Sequence, residues 1–166
     1  MSSKVRFTST SLLLKNCNYM KAVERPSMTP DESKEFTEIF YDLNKRILAV
    51  LSQAKTMNDA KEALGMLENM AKYELPEAKT MYGLSLLMEG KPWYDLKKGL
   101  QWLKNGAEAA AAYEHPANFS MFQYGIVLLD GKLGVTADPI TGKYWIDKAA
   151  EAGYEPAIKE QEKRWK

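Results

Sequence analysis

From about residue 58 onward the apolar positions fall into short stripes at helical spacing, broken by glycine, aspartate and proline. Between 76 and 90, Ala78, Tyr82 and Leu86 form one stripe, and Leu84, Leu87 and Met88 lie beside it, which predicts a helix. Gly90 follows, where a helix end favours a left-handed residue without steric cost. Asp95 then falls at an N-cap position, ahead of a second helix with Trp102, Leu103 and Ala107 on its inner face. The same order returns downstream as Tyr124-Gly125, Gly131, Asp138, then Trp145, Ile146, Ala149 and Ala150. Pro76, Pro116 and Pro156 suit the first turn of the helix that opens each unit.

The recurrence is metrical. Asp59–Met66–Ala71, Asp95–Trp102–Ala107 and Asp138–Trp145–Ala150 share internal spacings of seven and five residues, and the copies are 36 and 43 residues apart. A fixed period of this length is the mark of stacked helix pairs, none of which can bury its apolar face alone. In the first copy Asp59, preceded by Asn58, is expected to cap the second helix. Upstream, Thr29-Pro30-Asp31-Glu32 is a capping box, and a helix over roughly 31–54 carries Phe36, Phe40, Leu43, Ile47, Val50 and Leu51 on one face. It lacks the Tyr-Gly pair and is longer, as a terminal cap requires. The last stretch, with Lys159, Glu160, Glu162, Lys163 and Arg164, begins like a first helix and turns polar, the pattern of the opposite cap. The helix over 117–129, with Phe119, Met121, Phe122, Ile126, Val127, Leu128 and Leu129, has almost no polar face, so it is either fully buried or partly an interface.

Tyr-Gly, a glycine six or seven residues on, an aspartate, an aromatic, then Ala-Ala, Gly and Ala together resemble the Sel-one-like repeat (SLR) family, short α/α repeats related to tetratricopeptides. The fullest copy runs through Gln123-Tyr124-Gly125, Asp130-Gly131, Asp138, Lys143-Tyr144-Trp145, Lys148-Ala149-Ala150 and Gly153 to Ala157. The middle copy has Asn105-Gly106-Ala107 in place of Lys-Ala-Ala and an insertion from Ala109 to Pro116. The first keeps only its second helix, Asp59 to Ala71. The resemblance implies an all-α fold, an α/α superhelical solenoid of about two and a half repeats with a capping helix at each end. It also implies a concave surface, lined by the first helices, that binds other proteins. A disulfide-bearing branch of the family binds β-lactams, but Cys17 lies outside every repeat, so that chemistry does not carry over. The domain reading is a Ser/Thr-rich arm at 1–28, a capping helix at 29–57, repeats over 58–157 and a charged cap at 158–166.

Charge adds one asymmetry. With 23 basic and 22 acidic residues the chain has no field to steer it to nucleic acid. Lys4, Arg6, Lys15, Lys21 and Arg25 nevertheless face only Glu24 in the first 25 residues. That arm reads as an untargeted tail, a targeting segment or an edge element packed on the domain, and no apolar run is long enough to span a membrane. The expected compartment is cytoplasmic, or organellar or exported if residues 1–28 address the chain.

Catalytic sets are sparse. His115 is the sole histidine, which removes paired-histidine metal motifs, and Cys17 is the sole cysteine, so no metal or cofactor is expected. An enzyme would have to use Cys17 or His115. The reading favoured over it is a non-catalytic adaptor that binds a protein or peptide, with no nucleic acid expected. A variant of it has the arm bind an acidic membrane or nucleic-acid surface while the repeats present it. Candidate contact residues are Met81, Ser85 and Met88 of one first helix, Gln123, Val127 and Asp130 of the next, and the loop aromatics Trp93 and Tyr94. Dimerisation would be one way to lengthen so short a stack.

Overall fold

Two aspartates show why the second helices begin where they do. The Asp95 carboxylate accepts from the Lys98 backbone N–H at 3.0 Å, and Asp138 accepts from Thr141 N–H at 3.2 Å. Each satisfies a donor that the first helical turn leaves open. The structure is a computed structural model and describes residues 30–72, 76–112 and 118–165. Expectations for the arm, Cys17, Thr29, His115, Pro116 and the side chains of Phe36 and Phe40 lie outside the described residues. The helices are α1 (Pro30–Gln53), α2 (Met57–Ala71), α3 (Pro76–Leu86), α4 (Leu96–Ala111), α5 (Asn118–Asp130), α6 (Pro139–Glu151) and α7 (Glu155–Trp165). No strand occurs among the described residues. The protein is an all-α solenoid, with α3–α4 and α5–α6 as its repeating pairs.

The first second-helix departs from the expected cap. Thr56, not Asp59, is the N-cap of α2, its hydroxyl accepting from Asp59 N–H at 3.1 Å. Thr56 offers an acceptor three residues earlier, so the helix starts earlier and Asp59 becomes a first-turn acid favoured by the helix dipole. The turns behave as their glycines suggest, Gly90 and Gly131 having φ of +82° and +63°.

Within each pair the helices approach at glycines. A Cβ on Gly83 would sit 2.8 Å from the Gly99 carbonyl oxygen, and one on Gly142 would sit 2.7 Å from the Leu129 nitrogen. The repeated Tyr-Gly therefore marks backbone contact, and the tyrosine beside it braces the pair. Tyr82 meets Trp102 edge-on at 5.5 Å, and Tyr124 meets Trp145 at 5.9 Å. Burial pushes both phenols above their ordinary pKa, with Glu68 among the further influences on Tyr82 and with Glu108 and Asp138 on Tyr124.

The core runs the length of the stack in two blocks. One joins Leu43, Ile47 and Leu51 of α1 to Leu67 and Met70 of α2 and to α3. The other joins Leu103 and Ala107 of α4 to α5, α6 and Ala157 of α7. Neighbouring units are stitched at one edge by their loops. Lys91 donates to the Ser52 and Ala54 carbonyls at 2.9 and 2.8 Å, near the C terminus of α1. The Tyr94 hydroxyl donates to the Leu133 carbonyl at 2.8 Å. α3 packs on both α1 and α5, while α2 and α4 approach less closely, Lys98 reaching Glu68 at 3.8 Å. First helices packed more closely than second helices make a curved stack with the first helices inside.

Candidate functional site

That inner side brings side chains from several units onto one surface. What each first helix offers there follows from its neighbours. α3 lies between α1 and α5 and is buried on nearly every side, including the polar Glu77, Lys79, Thr80 and Ser85. α5 buries Ser120, Met121, Tyr124, Gly125, Val127 and Leu128, and leaves Phe119, Phe122, Gln123 and Ile126 only half-buried. At helical spacing Phe119, Phe122, Gln123 and Ile126 share one face. Phe122 meets Tyr154 edge-on at 5.5 Å, and Ile158 of α7 packs on the same core block.

The sequence-derived contact residues separate accordingly. Met81, Ser85, Val127 and Trp93 are buried. The Ser85 hydroxyl donates to the Met81 carbonyl at 2.8 Å, and the Trp93 indole N–H donates to the Ser85 carbonyl at 3.0 Å. Trp93 thus folds back into the core, since a buried indole needs an acceptor and the end of α3 supplies one. Tyr94 is half-buried and spent on Leu133. Met88 and Gln123 are half-buried, and Asp130 is exposed. Asp130 accepts from Arg164 at 2.8 Å and lies 3.9 Å from Lys132, which ties the end of α7 to the end of α5. The bonds from Arg164 to Glu160 and Asp130 push that guanidinium's pKa further up.

Phe119, Phe122 and Ile126 are the residues that sequence reasoning left unassigned. Their signal was the missing polar face of the helix over 117–129, which leaves burial and interface indistinguishable until the neighbours are known. Among the described residues no group of three or more metal-ligating side chains converges, and no helix is long and apolar enough to cross a membrane.

Comparison with known proteins agrees with this architecture. The family model described as "Sel1 repeat" matches residues 76–110 and 118–154, the two pairs α3–α4 and α5–α6. The crystal structure of a Sel1 repeat protein from Oxalobacter formigenes is similar in fold, with a TM-score of 0.53 and 20% sequence identity over 93% of this chain and 98% of that one. No curated protein matches the sequence.

Proposed function

We propose, from the premise that this chain carries two Sel1 repeats in an all-α solenoid, that it is a non-catalytic adaptor holding a protein or peptide on its inner face. Sel1 repeats are generally protein-interaction modules. The observation that carries the reading is the half-covered apolar face of α5. Phe119, Phe122 and Ile126 pack on the core yet keep part of their surface exposed, whereas Glu77 and Thr80, at the α3 positions of Phe119 and Phe122, are buried. Large apolar side chains held half-exposed on a rigid helix are the usual anchors of a recognition surface. Gln123 supplies a donor and an acceptor beside them. The fitting partner presents apolar side chains at the spacing of a helix or an extended segment, with few charges at the centre.

The test is quantitative capture of partners from native extract by the full chain, by Ile126→Glu and by Lys104→Glu, the last an exposed position away from that face. The reading expects partners retained by the wild type and by Lys104→Glu and lost with Ile126→Glu, while Ile126→Glu still unfolds in one cooperative transition above the temperature of capture. Equal retention by all three would remove the inner face as the contact.

A further inference from the structure

Of the ten glycines, nine are explained by their own φ or by the atoms packed against them. Gly90, Gly131, Gly134 and Gly153 have positive φ. At Gly83, Gly99, Gly106, Gly125 and Gly142 a Cβ would fall 3.0 Å or less from a neighbour. Gly65 has neither excuse. It is helical and exposed in the middle of α2, and a Cβ there meets nothing within 4 Å among the described residues. A glycine in that position weakens the helix relative to alanine, and no contact among the described residues requires it.

Gly65 borders an open groove of about 580 Å³ between α2 and the start of α4. Met57, Leu64 and Pro92 give it apolar walls, and Lys61, Glu68, Tyr82, Asp95 and Lys98 form its polar part. The Tyr82 hydroxyl donates to one Glu68 oxygen at 3.3 Å, and Lys98 lies 3.8 Å from the same oxygen. The Glu68 carboxylate thus keeps acceptor capacity toward the groove.

The repeat register shows what complements it. Six residues after Asp59, Asp95 and Asp138 stand Gly65, Gln101 and Tyr144, and two residues after them stand Lys61, Lys97 and Ile140. These positions face outward on every second helix. In the last unit alone they are large and apolar, with Ile140 86% and Tyr144 55% exposed. One end of the stack has a hole where the other has a knob. Tyr144 is already held in place, edge-on to Trp145 at 5.2 Å and with Lys148 5.6 Å over its ring.

We propose that the groove at Gly65 receives the outer ridge of α6 from a second copy of this chain. Tyr144 seats over the bare backbone at Gly65, its ring against Met57 and Leu64 and its hydroxyl donating to Glu68. Ile140 packs beside Pro92. The two surfaces differ, so the contact is heterologous and each copy keeps one free surface for the next. The inner face of α5 is not used and remains open to a partner.

Sedimentation velocity on the full chain, from about 10 μM to about 1 mM, covers the range in which small transient contacts form and dissociate. The wild type is expected to grow beyond two copies as concentration rises. Gly65→Gln and Tyr144→Gln should each weaken association about tenfold or more. Gly65→Gln improves helix propensity, so its melting temperature should rise as association falls, which separates lost contact from lost folding. The two variants mixed in equal amounts should form species of two copies and no larger, since each retains the surface the other lacks. A wild type that stays monomeric throughout, association indifferent to Gly65→Gln, or a mixture that forms no pairs would each overturn the proposal.

Discussion

α3 and α5 stand at the same place in successive units, and their composition runs opposite to their burial. α3 carries Glu77, Lys79, Thr80 and Ser85 and is enclosed. α5 offers Phe119, Phe122 and Ile126 in the half-open positions. The difference comes from what lies alongside. α3 has first helices on both flanks and a second helix on either side, so even polar positions leave water. Lys79 meets this by donating to the Ala71 carbonyl at 2.7 Å, at the C terminus of α2, with its ammonium 5.4 Å from the Trp102 ring centroid. The Thr80 hydroxyl has no partner among the described residues. Burial in a stack is thus set by position, and residue type decides only whether that burial is comfortable.

The sharpest way to break the comparison is to thicken the shared backbone contact. Gly83→Val should destabilise by about 3 kcal/mol, because the added atoms meet the Gly99 carbonyl rather than a side chain that can move. Thermal melting checks it, and Gly125→Val should cost somewhat less, its Cβ lying 3.0 Å from the Gly142 carbonyl. Next come Thr80 and Phe122, which share one repeat position. Phe122→Ala should cost about 2 kcal/mol, since a half-buried ring forfeits only part of the usual core penalty. Thr80→Val should be neutral or stabilising by up to about 1 kcal/mol, because it removes a buried hydroxyl that has no partner among the described residues. If the two changes have equal effects in denaturant melts, the contrast between the helices is lost.

Smaller effects belong to the caps. Asp95→Ala should cost about 1 kcal/mol in the same melts, the ordinary value of an N-cap. Asp138 offers a pH readout. The hydrogen bonds from Thr141 hold its carboxyl below the usual carboxylate range. Its contribution is therefore present above an unfolded pKa of about 3.9 and fades as pH falls toward the lower folded value. Replacing it with asparagine should flatten the loss of melting temperature between about pH 6 and about pH 3. An unchanged acid slope would place that loss on other carboxylates.

Much of the fold was legible in spacing. The Asp–aromatic–alanine metre set the second helices, Tyr-Gly marked the close pairs, and Gly90 and Gly131 closed the first helices in the left-handed region. Those features are local or recur with the period, so one copy validates another. The Thr56 cap was missed because the repeat register pointed to Asp59, while an earlier acceptor decided where the helix began. The inner surface was less legible. Met81, Ser85 and Val127 have the residue types of contact positions, yet each faces a neighbouring helix. Trp93 looked like a loop aromatic until the Ser85 carbonyl gave it an acceptor.

The sequence by itself determined an all-α array of helix pairs, because helical periodicity, capping and small-residue spacing act within a few residues of one another. It also determined the mismatch of Gly65, Gln101 and Tyr144, which is plain once the repeats are aligned. Only the tertiary structure decided which faces are covered, that Gly65 needs no space and that Tyr144 points outward. Those depend on which helices lie alongside, and burial belongs to the neighbours as much as to the residue.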